Sequence, residues 1–296
     1  MSYVKKLYDK GLITPPKYLI NSVQLEVITG SNAYGVSSDK SDMDVAGFCI
    51  PRKDMIFPNI KGEILGFGNQ TKRFNQWQEH HIKDKDAKKE YDFQIYNIIR
   101  FFQLCMDNNP NMIDMLFVPR RCILHSTKIG ERVRDKRHIF LHKGSWFKFK
   151  GYAYSQVHKM KTKNPEGKRK ETVDKFGYDV KFAYHVVRLL NEVEQILTEH
   201  DLDLERNREQ LKSIRRGEWT QEDIIQYFES KERELETIYS NSTLRKFPEE
   251  KAIKKLLVEC LEDYFGSLNS SNLEFNYDNI SILIGEMDNL IEKYRR

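Results

Sequence analysis

The sequence predicts an α+β protein: an N-terminal mixed sheet with helices over residues 1–120, followed by a helical domain over residues 121–296. Strand-like alternation is concentrated before Pro119-Arg120-Arg121, and helical three- and four-residue spacing dominates after it. Two strands of the first half also frame a Gly-Ser turn and an Asp-x-Asp pair, Gly30-Ser31 and Asp42-Met43-Asp44.

The first 15 residues read as a loose lead-in, and Pro15-Pro16 permits a short helix through Tyr18, Leu19 and Ile20. Val23 to Ile28 alternates and is β-branched, so it is a strand. Gly30 and Ser31 end it. A glycine there lets backbone approach a ligand closely, and the N–H groups of a following first helical turn would face a phosphate. Ser31 would add a hydroxyl donor, or act as an N-cap, which is compatible with that role. Val36 to Ser41 is a polar loop in which Asp39 is either a turn residue or a ligand contact. Asp44 to Ile50 is the second strand, stopped by Pro51.

Asp42 and Asp44 flank one residue, so in a strand both carboxylates point the same way. Like charges side by side raise each other's pKa. A divalent cation, Mg²⁺ above all, would neutralise such a pair of hard oxygen ligands. The plain alternative is a polar turn entering a strand.

Glu63 to Gly68 is a short strand or loop, and Phe74 to Ile82 a weakly alternating strand. His80 and His81 are adjacent and would face opposite sides of it, which argues against a shared metal site. Lys83 to Glu90 reads as a solvated turn. Glu90 to Tyr96 is a third strand that would place Asp92 at a sheet edge, facing the same way as Glu90 and Gln94. A helix through Ile98, Phe102 and Leu104 follows, broken at Asn108-Asn109-Pro110, and a short apolar helix begins at Asn111.

In the second half, Ser126–Arg137 and Ser145–Met160 are helices. Lys159 to Lys170 is a basic loop, either a solvated turn or a phosphate-contacting arm for nucleic acid. Val173 to Glu199 is the longest helix. Tyr178, Lys181, His185 and Arg188 recur on it at three- and four-residue spacing, a polar stripe on one face. Gly217 ends the next helix, Thr220 caps another, and Pro248–Phe265 and Asn279–Tyr294 complete the chain.

Hydrophobic residues make up 39% and charged residues 31% of the chain, as in ordinary soluble proteins. A net charge of +5 by itself implies no nucleic-acid partner. The four cysteines lack metal-ligand spacing and read as reduced, mostly buried thiols of a cytoplasmic protein. No apolar run is long enough to span a bilayer, and no signal-peptide core follows Met1.

Together these residues resemble the nucleotidyltransferase superfamily that includes DNA polymerase beta, whose core is Gly-Ser, then Asp-x-Asp, then a third acidic residue on a later strand. Here those are Gly30-Ser31, Asp42-x-Asp44 and Asp92, with Glu90 as the fallback. The chain is more narrowly similar to the YcgL/RlaP-like group of bacteria and phages, nucleotidyltransferases associated with RNA repair. Four stretches carry that likeness: Gly30-Ser31-x-Ala33-Tyr34-Gly35; Ser41-Asp42-x-Asp44-x-x-Gly47; Phe101-Phe102-Gln103-Leu104 with Asn109-Pro110-Asn111; and Gly177-Tyr178-Asp179-x-Lys181-x-x-x-His185-x-x-Arg188-Leu189-Leu190. Where that group often has Glu, this chain has Asp114.

The resemblance implies two-metal nucleotidyl transfer, with Asp42, Asp44 and Asp92 holding Mg²⁺ (or Mn²⁺) and Gly30 and Ser31 gripping the phosphates of an NTP. It also implies that Tyr178, Lys181, His185 and Arg188 face the cleft and bind nucleotide, and that the acceptor is RNA, a tRNA or a broken RNA end. Transfer to a protein or small molecule, or a nucleotide- or RNA-binding module without catalysis, are the competing readings.

Overall fold

A computed structural model describes residues 1–37, 42–57, 74–163 and 166–266 of the chain. The expectations for Asp39, for Glu63 to Gly68 and for the last helix lie outside the described residues.

The α+β architecture is observed, built on a mixed five-stranded sheet. Its strands are β1 (Val23–Ile28), β2 (Met43–Cys49), β3 (Gln76–Asp84), β4 (Lys89–Asn97) and β5 (Ile123–Ser126), in the order β3-β4-β2-β1-β5. β2 and β4 are parallel, and the other pairs antiparallel. β4 is therefore an interior strand, and Asp92 is not at a sheet edge as expected. β5 lies beyond residue 120, where the sequence pattern is mostly helical, and completes the sheet beside β1.

The lead-in is not loose. α1 (Tyr3–Asp9) is capped by Ser2 and buries Val4 and Leu7. It covers one face of the sheet with Leu19 of α2 (Leu19–Ser22), packing on Val45, Phe93 and Ile95. Glu26 of β1, fully buried, accepts the N–H groups of Tyr3 at 2.5 Å and Val4 at 2.9 Å. A strand carboxylate thus takes up the first helical N–H groups, which no helix can satisfy internally.

The opposite face carries Leu25, Val27, Ala46, Phe48 and Tyr96, buried under the helices. α5 (Ile98–Met106) starts directly after β4, capped by Asn97, and its Phe101 ring stacks on Phe48 at 4.9 Å. α6 (Pro110–Phe117) follows the expected break. Beyond β5 come α7 (Lys128–Asp135), α8 (Ser145–Thr162), α9 (Lys168–Phe176), α10 (Val180–Glu199), α11 (Arg208–Arg215), α12 (Gln221–Asn241) and α13 (Glu250–Phe265). One continuous apolar cluster runs from this sheet face through α10 to α12 and α13.

Two helical expectations need correction. The stretch 159–170 is mostly helix: α8 runs to Thr162 and α9 begins at Lys168. The helix expected over Val173–Glu199 is two helices. Gly177 adopts a left-handed φ of 81° that closes α9, and Asp179 caps α10 by accepting the Lys181 N–H at 2.8 Å.

Candidate active site

Residues on one face of a strand recur every second position. Asp44, Ala46 and Phe48 share a face of β2, and Asp92, Gln94 and Tyr96 a face of β4. Toward Phe48 and Tyr96 that face is buried core. Toward Asp44 and Asp92 it opens into a cleft of about 690 Å³ whose far wall is α10. The parallel register pairs Asp44 directly with Asp92, Val45 with Phe93 and Ala46 with Gln94.

Gly30 and Ser31 open α3 (Gly30–Ala33), a single turn that lies against the same carboxylates. The Thr29 N–H donates to the Asp44 carbonyl at 2.8 Å, locking the turn onto β2. Gly30 has φ +63°, and a Cβ there would come within 2.3 Å of Asp44 Oδ2. Only glycine leaves room for that carboxylate.

Burial, first, raises the Asp44 pKa; Asp92 and Asp42 add to the rise, while Lys181 and His80 oppose it. Two further carboxylates and a lysine, drawn from the approach to β2, from β4 and from α10, therefore bear on Asp44. Asp42 is exposed just before β2, its carbonyl accepting from Asn32 Nδ2 at 3.4 Å.

Of the expected site residues, Gly30, Ser31, Asp42, Asp44, Asp92, Lys181, His185 and Arg188 all line the cleft. Tyr178 does not. It precedes the N-cap of α10, its ring is buried, and its hydroxyl donates to the Trp219 carbonyl at 2.6 Å. The break at Gly177 takes it off the helical stripe, so the polar face begins at Lys181.

Arg188 is at the cleft floor, but as part of a buried ionic cluster. Its Nη1 donates to Asp114 Oδ2 at 2.5 Å and to both oxygens of Glu192 at 2.9 and 2.8 Å. Tyr34 donates its hydroxyl to the same Asp114 oxygen at 2.7 Å, and the guanidinium lies 4.4 Å from the Tyr34 ring centre. Asp114 thus joins the end of the Gly-Ser turn to α10 through Tyr34 and Arg188. Burial pushes Asp114 and Glu192 upward, Glu192 well above the ordinary range.

His185 is held neutral: burial and the neighbouring Arg188, Lys181 and Arg169 push its pKa well below the usual value. Its ring centre lies 4.2 Å from that of Tyr184.

His80 and His81 do not face opposite sides in the expected way. A bulge between Glu79 and Ile82, with His81 at φ 58°, turns both toward the carboxylates. The His81 N–H donates to Asp92 Oδ1 at 2.8 Å, and His80 Nδ1 lies 3.6 Å from that oxygen. His81 Nδ1 pairs with Glu90 at 2.8 Å, and that hydrogen bond raises the His81 pKa. Glu90 is engaged there, whereas Asp92 lines the cleft beside Asp44.

Arg215, Arg169 and Tyr152 also line the cleft. Arg215 donates to the Val36 carbonyl at 2.6 Å, tying α11 to the end of the Gly-Ser segment. Its sequence context, a basic helix end, gave no sign of this, because its partner lies 179 residues away.

Residues 19–258 match a family model described as RlaP, the RNA repair pathway DNA polymerase beta family. The chain belongs to that family. RlaP membership places it among polymerase beta-type nucleotidyltransferases associated with RNA repair. A solved structure, a nucleotidyltransferase-like protein from Exiguobacterium sibiricum 255-15, aligns over 91% of this chain and 75% of its own at 8% identity and a TM-score of 0.29. No curated protein matches. Among the described residues, no helix is long and apolar enough to cross a membrane.

Proposed function

We propose that the protein is a divalent-metal-dependent nucleotidyltransferase that moves a nucleotidyl group from an NTP to an RNA acceptor. The observation that carries this reading is the direct pairing of Asp44 with Asp92 on adjacent parallel strands, opposite Lys181.

Two carboxylates in register beside Asp42 are hard oxygen donors, the chemistry that suits Mg²⁺ or Mn²⁺. Among the described residues, no group of three or more His, Cys, Asp or Glu side chains stands arranged as a ready-made ligand set. The fit rests on donor type and on the closeness of Asp92 and Asp42 to Asp44, whose pKa both help to raise. Asp42 and Asp44 would hold an ion on the triphosphate, and Asp92 would share one with the acceptor side. Bound there, such ions supply a lowered pKa for the attacking hydroxyl and neutralise charge at the α-phosphate.

The chain's own residues position the reactants, which is what an in-line phosphoryl transfer needs most. Gly30 and Ser31 present backbone and hydroxyl donors to the β- and γ-phosphates. Lys181, on the facing wall, offers a mobile ammonium to the same charge. Arg188, with its charge taken up by Asp114 and Glu192, sets the distance between that wall and the Gly-Ser turn. Neutral His185 offers a hydrogen bond without adding charge.

The direct pairing of Asp44 and Asp92 also weighs against a module without catalysis, which has no need to keep two half-buried like charges side by side. The reading is tested by following pyrophosphate release from each NTP with Mg²⁺ and single-stranded RNA. Release that depends on RNA and is lost in Asp44→Asn is expected; RNA-independent release, or none with any NTP, would contradict it.

A further inference from the structure

A second concavity of about 620 Å³ opens off the candidate active cleft and shares Tyr152, Arg169 and His185 with it. It lies between the end of α8, the start of α9 and α10. Lys159, in the last turn of α8, and Lys163, the residue that caps its end, both line this groove. Among the described residues neither makes an ion pair. The Lys163 ammonium sits 5.9 Å, and the Arg169 guanidinium 4.7 Å, from the Phe182 ring centre. Glu166 is the one carboxylate among the described residues of this groove.

These cations continue a line that begins at the carboxylates. Lys181 lines the cleft together with Asp44 and Asp92. Its backbone N–H binds Asp179, whose other oxygen lies 3.4 Å from Arg169 Nη1. Arg169 stands on the wall common to both cavities, and Lys163 and Lys159 extend the line away from the cleft. A positive row walled by aromatic side chains is the arrangement that follows a single nucleic-acid strand, with cations on the phosphates and rings against the bases. A duplex would need cations for two backbones, and the groove offers one row.

Resting on the nucleotidyltransferase reading, we propose that this groove is the acceptor subsite: the phosphodiester backbone of single-stranded RNA runs over Arg169, Lys163 and Lys159. The half-buried Tyr152, at the junction of the two cavities, stacks on the terminal base and delivers the strand's end toward Asp92.

The test uses the full chain and a fluorescent single-stranded oligouridylate of about ten nucleotides, within the span such grooves cover. Anisotropy without NTP measures RNA binding; KM for the NTP is measured separately. The K159E/K163E variant is expected to weaken RNA binding at least tenfold. The K159Q/K163Q variant is expected to reduce the slope of log Kd against log salt by about 1.4, the value for two lost phosphate contacts on a single strand. KM for the NTP is expected to stay within twofold, and thermal melting to be unchanged.

Unchanged RNA binding in both variants overturns the proposal. So does a wild-type chain that binds no RNA, a loss of NTP affinity with RNA affinity kept, or duplex RNA competing as well as single strand. RNA binding that depends on both lysines, in a chain that transfers no nucleotide to RNA, supports the groove and removes the transferase reading instead.

Discussion

Asp44 and Asp92 are register partners on adjacent parallel strands, on the sheet face that α10 overhangs. Asp44 carries a raised pKa because it is buried beside like charges. Asn at either position removes charge at nearly constant shape. Asp44→Asn and Asp92→Asn are expected to lower kcat by on the order of a hundredfold or more, as when a directed electrostatic contact to a transition state is lost. Neither is expected to lower Tm, because the repulsion is relieved. A drop in Tm with kcat retained, by steady-state kinetics and calorimetry, would make these carboxylates structural.

Gly30→Ala tests how closely the turn holds Asp44. The left-handed backbone alone disfavours alanine by about 1–2 kcal/mol. The added methyl also meets Asp44 Oδ2 and must push it aside. Activity is expected to fall together with Tm. Gly11→Ala is the control: it has a similar φ of +69° but open space at Cβ, so it carries the backbone effect without the clash. Activity kept in both would uncouple the turn from Asp44.

Arg188 separates a nucleotide ligand from a structural clamp. Its guanidinium is buried between Asp114 and Glu192, so Arg188→Met leaves two carboxylates without a counter-ion. Breaking such a cluster costs about 3–5 kcal/mol, measurable by denaturant unfolding. Tyr34→Phe removes one hydrogen bond to Asp114 and is expected to cost about 1.5–3 kcal/mol. Unchanged stability in Arg188→Met, with a raised KM for NTP, would return Arg188 to the nucleotide site.

Glu26 supplies a pH signature unrelated to catalysis. Burial pushes its pKa up to about 7 from an ordinary 4.5, despite the two N–H groups it accepts. The folded state therefore holds the proton more tightly than the unfolded chain. That contribution is fully present below about pH 4.5 and is lost as pH rises through about 7. A shift of this size corresponds to about 3 kcal/mol. Wild-type stability, relative to Glu26→Gln, is expected to fall over that window and to run parallel above pH 8. Parallel curves throughout would mean that Glu26 has the same pKa in the folded and unfolded chain, so that burial does not raise it.

Local patterns made the strand–turn–strand unit, the third strand, the break before Pro110 and the Thr220 capping box legible in the sequence. The Asp42 and Asp44 pair followed from alternation along one strand, and Asp92 joined them through the family resemblance. The pairing of Asp44 with Asp92 did not, because parallel register joins residues far apart in sequence and leaves no local mark. The His80–His81 bulge is likewise set by β4, not by its own strand.

Other gaps had a signal. Val4 and Leu7 of α1 stand at helical spacing. Gly177 followed two residues later by Asp179 is a stop and a start, which moves Tyr178 out of the stripe. Glu192, four residues after Arg188, marks an ion pair within the helix, but only Asp114, brought in from α6, shows why the pair is buried.

The central claim is nucleotidyl transfer to RNA at Asp44 and Asp92. It is tested most directly by incubating wild-type and Asp92→Asn chains with Mg²⁺, total cellular RNA and each α-labelled NTP, then resolving the label. The account predicts label in RNA from at least one NTP with the wild-type chain and none with Asp92→Asn. Label confined to protein or small molecules, or equal labelling of RNA by both chains, would contradict it.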